Sequence, residues 1–147
     1  MAKSTFRCRL ITPESQVCDD PAVGAVIPAW DGLIGVLPNR APMVMQMGIG
    51  ELRIDFPDSG TVRGGSRSFF VDDGFVQMVD NELTILAASA IAAEKLNESE
   101  AQAELSAANA RKTDGLAAAD ADRIRAARTR AAVKLTLARS VRGRGGI

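Results

Sequence analysis

The chain changes its period of hydrophobicity once, near residue 97, and that switch restricts it to a strand-built body followed by helices. Over the first 90 residues apolar and polar side chains alternate. Phe6, Cys8 and Leu10 face one way and Arg7 and Arg9 the other, the period of two of a half-buried strand. Val23, Ala25 and Ile27 repeat the pattern until Pro28, which is expected to end that ladder. Leu52, Ile54 and Phe56 alternate with Arg53 and Asp55. Turn signals follow each run: Pro57-Asp58-Ser59-Gly60, Gly64-Gly65, Asp72-Asp73-Gly74 and Asp80-Asn81. The Asp80-Asn81 pair joins residues 75–79 to residues 83–86 as a hairpin. Many short strands with regular turns predict an all-β sandwich or barrel.

Beyond the switch the residues favour helix. Asn97 with Glu100 three positions on makes a capping box, the Asn side chain accepting from the first free N–H groups. Residues 98–112 contain no Gly or Pro and are rich in Ala and Glu. Asp114-Gly115 is expected to stop this helix, Gly being the natural left-handed terminator. A second helix is expected over residues 120–141, with Asp120 and Asp122 near its positive end. Residues 143–146 read as a flexible tail. On this second helix Ile124, Ala127, Ala131, Leu135 and Ala138 fall within about 80° of one another. Arg123, Arg130 and Lys134 border that stripe on one side and Arg125, Arg128 and Arg139 on the other. Alanine lets a partner helix come close, but at about 25 cal/mol per Å² it buries too little area for a firm hold. The expected architecture is an N-terminal β-sandwich over residues 1–88. A C-terminal antiparallel two-helix hairpin with a basic tail follows over residues 89–147.

Composition narrows the function. A length of 147 residues suits one ordinary domain, or a small one with an appendage. With 46% hydrophobic and 4% aromatic residues, the core is expected to be Val, Ile, Leu, Met and Ala. Histidine is absent, which removes the commonest general base and the commonest metal ligand together. Cys8 and Cys18 have no CxxC spacing and no His partner, so neither a zinc site nor a Cys–His nucleophile is available. Both read as inert packing residues of a reducing compartment. Gly48-x-Gly50 and Gly64-Gly65 are not phosphate loops, since neither opens a helix with Lys-Ser/Thr. No catalytic residue, cofactor or metal site is assigned. The first residues do not have the pattern of a charged, apolar, cleavable leader, so none is expected. The longest uncharged run, residues 83–93, is well short of the roughly 18 residues that cross a bilayer, so the chain is expected to be soluble.

Charge divides as the periods do. Residues 1–96 carry 8 Lys/Arg against 12 Asp/Glu, and residues 97–147 carry 10 against 6. After Asp122 there are eight basic residues and no acid. A merely solvated face would tolerate interspersed acids. Nucleic-acid binding would favour interleaved aromatics, and residues 97–147 contain none, so no nucleic-acid partner is expected. Docking of Arg123, Arg125, Arg128, Arg130 and Lys134 to an acidic protein surface is the favoured reading.

The segment Trp30-Asp31-Gly32-Leu33-Ile34-Gly35-Val36-Leu37-Pro38-Asn39-Arg40-Ala41-Pro42 is the most specific in the chain. Gly32 and Gly35 allow backbone angles and close approaches that a side chain forbids. Pro38 and Pro42 push Leu37 and Ala41 into extended geometry. The segment reads as re-aimed β-structure, stiff at its tip and presenting Arg40 outward. Trp30 is expected to pack in the core or at a hinge, an interface anchor being the alternative.

These residues, continued by Gly48-Ile49-Gly50-Glu51-Leu52-Arg53-Ile54, resemble the epsilon subunit of F-type ATP synthases. That family shows Gly-x-x-Gly-[Ile/Val]-x-Pro-Gly-His-Ala-Pro and then an apolar strand ending in Gly-x-Leu-Arg-Ile. Phe70-Val71-Asp72-Asp73-Gly74-Phe75-Val76-Gln77-Met78 and Asn81-Glu82-Leu83-Thr84-Ile85-Leu86-Ala87 are similar to its later strands. The match runs in order from about Phe6 to Arg139, with these four pieces in register. The resemblance implies a non-catalytic rotor subunit whose β-sandwich touches the gamma subunit and the ring of c subunits. It implies helices that fold down or extend to brake ATP hydrolysis against an acidic surface of the catalytic beta subunits. It implies attachment to the cytoplasmic face of a bacterial inner membrane only through that complex. Asp31, Gly32, Leu33, Asn39, Arg40, Ala41 and Pro42 are the implied subunit interface. Two departures stand out. The family's Gly-His is Asn39-Arg40 here, and Asn tolerates a left-handed turn nearly as well as Gly. The nucleotide motif [Ile/Leu]-Asp-x-x-Arg-Ala becomes Leu96-Asn97-Glu98-Ser99-Glu100-Ala101, with Glu100 repelling phosphate, so ATP binding is expected to be weak or absent. The competing class is a free-standing β-sandwich adaptor with a helical tail.

Overall fold

The computed structural model describes residues 4–58 and 64–144. Ser59 and Gly60 of one expected turn, and residues 145–146 of the expected tail, lie outside the described residues. The chain divides into two compact units between Ala92 and Ala93.

Eight strands build the first unit: β1 (Phe6–Ile11), β2 (Gln16–Ala22), β3 (Gly24–Ala29), β4 (Gly32–Val36), β5 (Met43–Met47), β6 (Gly50–Asp55), β7 (Ser66–Val79) and β8 (Glu82–Ala92). They form one sheet in the order β2-β1-β8-β7-β5-β3-β4, with β6 pairing to β3 and β7. β1 and β8 run parallel, Arg7 opposite Glu82 and Ile11 opposite Leu86. On the outer side of this seam Arg7 grips both carboxylate oxygens of Asp19 at 2.8 Å. Those hydrogen bonds hold the Asp19 carboxyl below the usual carboxylate range.

β5 and β6 behave as one interrupted strand against β7: Met47 pairs with Gly74, and Gly50 with Val71. The side facing the core changes parity at the interruption. Met43, Met45 and Met47 face it before the break and Leu52, Ile54 and Phe56 after. β7 switches in step, from Phe69 and Val71 to Val76 and Met78, and β8 from Leu83, Ile85 and Ala87 to Ala90 and Ala92. A regular strand keeps one parity, so the backbone must rotate locally. Asp73 (φ 52) and Gly74 (φ 142) supply that rotation in β7. Because Gly74 pairs with both Met47 and Ala87, the three switches lie on one line across the sheet. The sheet folds over along this crease and both halves bury a single core. A Cβ on Gly74 would collide with the carbonyl oxygen of Leu86, so the crease requires glycine there.

Four expectations change here. Asp72-Asp73-Gly74 is not a turn but the crease inside β7. Pro28 does not end β3; it lies where the neighbour of β3 changes from β6 to β5, and its carbonyl accepts from the Gly48 N–H at 2.9 Å. The aliphatic core also takes Phe6 and Phe69, both fully buried. β8 continues past residue 88 to Ala92, because Ser89, Ala90, Ile91 and Ala92 pair with the first half of β7.

The second unit opens with a 3₁₀ turn (Ala93–Lys95) and contains α1 (Glu98–Ala110) and α2 (Ala118–Arg144). Asn97 caps α1, its side chain accepting from the Glu100 N–H at 3.0 Å. α1 ends at extended Arg111 rather than at Gly115, which turns left-handed (φ 76) in the connection. α2 runs through residues 143 and 144, which were expected in the tail. Ile124, Ala131, Leu135 and Ala138 are buried as the stripe requires, Ala127 is half-buried, and Ala121 and Leu137 join the buried set. Facing them, Ala101 and Ala108 are buried on α1.

Candidate functional site

The expected interface residues gather at the two ends of β4. Trp30 and Asp31 form the two-residue connection between β3 and β4, with Ala29 paired to Gly32. Gly32 adopts φ 142, as this tight reversal needs. At the other end Pro38-Asn39 turns the chain into β5, with Asn39 left-handed at φ 63. Asp31, Gly32 and Leu33 are therefore separated from Asn39, Arg40, Ala41 and Pro42 by a strand spanning about 13 Å. The set forms two separate clusters on one edge.

That edge is apolar and open. β4 ends the strand order, so nothing in the sheet pairs with its outer side. Leu33, Gly35 and Leu37 point outward, with Leu33 and Leu37 exposed by 72% and 68%. Trp30 is 75% exposed, which overturns its placement in the core: the short connection leaves the indole no second layer to enter. Gly35 has a free flank, with nothing within 4 Å of a Cβ built on it and no positive φ, so the chain's own packing does not demand glycine there. It makes a notch between two leucines. An exposed apolar edge of this kind is a liability unless another surface covers it.

The Pro38-Asn39 turn is held from outside. Asn81, in the connection between β7 and β8, accepts from the Asn39 N–H at 2.8 Å and donates to the Thr5 carbonyl at 2.8 Å. Arg40 is exposed, its Nε donating to the Met43 sulfur at 3.1 Å. Val44, Phe75 and Leu86 add an exposed apolar row on β5, β7 and β8, Phe75 and Leu86 being a cross-strand pair. Sequence reasoning missed Asn81 and this row. The alternation of β5, β7 and β8 carried the signal for the row, since these residues occupy the outward parity.

Arg123, Arg125, Arg128, Lys134 and Arg139 of α2 are engaged within the helical unit. Arg125 meets Asp122 at 2.7 Å and Arg123 meets Asp120 at 3.9 Å, one turn away on the same helix. Lys134 bridges to Glu104 and Arg139 to Glu98 on α1, each at 3.3 Å. Arg128 donates to the Ala108 carbonyl at 3.2 Å and to the Arg111 carbonyl at 2.6 Å. Arg130 is half-buried. Exposed pairs of this type hold helices together only weakly, and salt screens them.

Among the described residues no cluster of three His, Cys, Asp or Glu side chains has a metal-binding arrangement. Cys8 and Cys18 are buried, and burial pushes their thiols up to about 12 and about 11. Thiols so held are poor nucleophiles. No helix among the described residues is long and apolar enough to cross a membrane.

The described residues thus form a creased β-sandwich with an exposed apolar edge and a small two-helix unit. Residues 5–93 match the family described as ATP synthase, Delta/Epsilon chain, beta-sandwich domain. The ATP synthase epsilon chain of Desulfitobacterium hafniense (strain Y51) is 35% identical over 138 residues, covering 92% of this chain and 98% of that one. The ATP synthase epsilon chain of Symbiobacterium thermophilum is 38% identical over 130 residues, covering 88% and 89%. The chain belongs to the ATP synthase epsilon chain family. Two solved structures share the fold. A chain of the Euglena gracilis mitochondrial ATP synthase superposes with a TM-score of 0.76 at 18% identity, covering 90% of this chain and 80% of that one. A chain of the Tetrahymena thermophila mitochondrial ATP synthase central stalk and c-ring gives 0.63 at 13% identity, covering 94% and 99%.

Proposed function

We propose that this chain is a non-catalytic central-stalk subunit that couples ring rotation to the catalytic head of an ion-driven ATP synthase and restrains ATP hydrolysis. One observation carries the reading: Trp30, Leu33 and Leu37 stand exposed along the edge strand β4 and its two ends, a surface suited to permanent cover by a partner. The turn containing Asn39, Arg40, Ala41 and Pro42 contacts the gamma subunit, and the connection containing Asp31, Gly32 and Leu33 reaches the ring of c subunits. The separation of the two points along β4 suits two partners better than one. Location follows from the complex, at the cytoplasmic face of a bacterial inner membrane.

The helices supply the restraint. Their seam is largely alanine, and their ion pairs are exposed, so separating them from each other is inexpensive. When they part, Arg123, Arg125, Arg128, Arg130 and Lys134 turn to an acidic surface of the catalytic beta subunits. No nucleotide is assigned to the head of α1, where Glu98 and Glu100 repel phosphate.

Ending the chain near the unit boundary tests the reading. Truncation after Ala90 clips two paired residues of β8, so truncation after Ala92 is the cleaner variant. The complex should still assemble and should hydrolyse ATP faster. Reversing charge at Arg123, Arg125 and Arg128 should weaken the restraint beyond any effect of neutral surface changes. Unchanged hydrolysis in both would refute the braking role.

A further inference from the structure

We propose that Asn81 is a positioning residue: it holds the Asn39-Arg40 turn in the shape that meets the stalk partner. The inference rests on reading that turn as a partner contact.

Asp80 and Asn81 connect β7 to β8 with φ values of 50 and 59, both left-handed. In a two-residue connection of this kind glycine is the easiest occupant of the second position. An asparagine there has a side chain with work to do. Its two ends face opposite demands, because Asn39 offers an N–H and Thr5 offers a carbonyl. Only one orientation of the amide satisfies both, so the assignment of its oxygen and nitrogen follows from the partners. The Asn81 carbonyl also accepts from the Arg7 N–H at 3.1 Å, which anchors the connection to β1. The clamp thus reaches 42 residues back along the chain to the turn and 76 residues back to Thr5.

The turn needs such support. Asn39 has positive φ, which asparagine tolerates but which its own geometry does not enforce, so the turn keeps one shape only where something holds it. Arg40, Ala41 and Pro42 are exposed and contribute no burial that would do so. The hydrogen bond from Asn39 to Asn81 sets where Arg40 emerges.

Asn81→Gly and Asn81→Asp separate positioning from stability. Glycine keeps the left-handed connection without strain and removes both side-chain bonds. Aspartate keeps the acceptor for Asn39 and loses the donor to Thr5. In the full-length chain, Asn81→Gly should speed hydrogen exchange at the Asn39 amide roughly tenfold and raise the concentration for half-maximal capture of purified gamma subunit by a similar factor. Asn81→Asp should leave both within about threefold of the parent, although it loses the Thr5 bond. The proposal is overturned if Asn81→Gly leaves capture unchanged. It is equally overturned if Asn81→Asp loses capture while the Asn39 amide stays protected. If the parent chain captures no gamma subunit, the functional reading falls and this one with it, whereas parental capture with no effect of Asn81→Gly removes only the clamp.

Discussion

Arg128 closes the end of α1 from the neighbouring helix, its Nη2 donating to the Arg111 carbonyl at 2.6 Å while its Nε donates to the Ala108 carbonyl. The last carbonyls of a helix have no partner within it, and a cation is favoured there by the helix dipole. A basic residue that reads from its own helix as one of a solvent-facing border is therefore the C-terminal cap of the other helix.

Removing that cap should loosen the helical unit alone. Arg128→Ala is expected to destabilise it by about 1–2 kcal/mol, with Arg128→Lys intermediate because an ammonium cannot span both carbonyls as the guanidinium does. Urea unfolding followed by helical circular dichroism measures this. The β-unit, followed by its amide signals, should keep its midpoint.

Glycine is required at the crease and optional on the open edge. Gly74→Ala forces a Cβ against the Leu86 carbonyl at φ 142 and should cost about 3 kcal/mol or more. Gly35→Ala meets open space and should stay within about 1 kcal/mol of the parent in isolation. Comparing the two urea midpoints decides it. The same Gly35→Ala variant should bind the stalk partner less well, because the added methyl fills the notch between Leu33 and Leu37.

Trp30, the sole tryptophan, reports on the edge directly. In the isolated chain its fluorescence should be that of a solvated indole and readily quenched by acrylamide. On assembly the emission should shift to the blue. Trp30→Ala should change isolated stability by less than about 0.5 kcal/mol yet lower partner affinity by about 2 kcal/mol, the pattern of an aromatic interface anchor.

Alkaline pH should expose the buried thiols. Burial pushes the Cys8 and Cys18 thiols up to about 12 and about 11 in the folded chain, against an ordinary value of 9.0. The folded state holds those protons more tightly than the unfolded one. The resulting stability is full below pH 9 and is lost as pH rises through 11 and towards 12. Urea midpoints at pH 8 and pH 10.5 should therefore differ more in the parent than in a Cys8→Ala, Cys18→Ala double variant. Equal differences would refute the assignment.

Local signals in the sequence were legible and long-range ones were not. Alternation at Phe6, Cys8 and Leu10, the Asn97 cap and the Ile124-to-Ala138 stripe each depend on neighbours within a turn or a strand, and the structure keeps them. Asp72-Asp73-Gly74 has the composition of a turn. It becomes a crease because β8 and β5 flank it on both sides, which no local window contains. The parallel pairing of β1 with β8 joins segments 75 positions apart, Arg7 with Glu82. At the proposed interface, Asn39 was readable as a left-handed residue, whereas its support by Asn81 was not. Trp30 was misplaced because a lone aromatic beside a glycine turn looks the same whether it faces inward or outward.

The most direct measurement is a cross-link from the turn. With the native thiols buried, Arg40→Cys in the full-length chain adds one accessible thiol. In the assembled synthase a short thiol-reactive cross-linker at position 40 should join this chain to the gamma subunit and to no catalytic beta subunit. A position-40 thiol that is alkylated as freely in the complex as in the isolated chain, with no cross-linked product, would contradict the account.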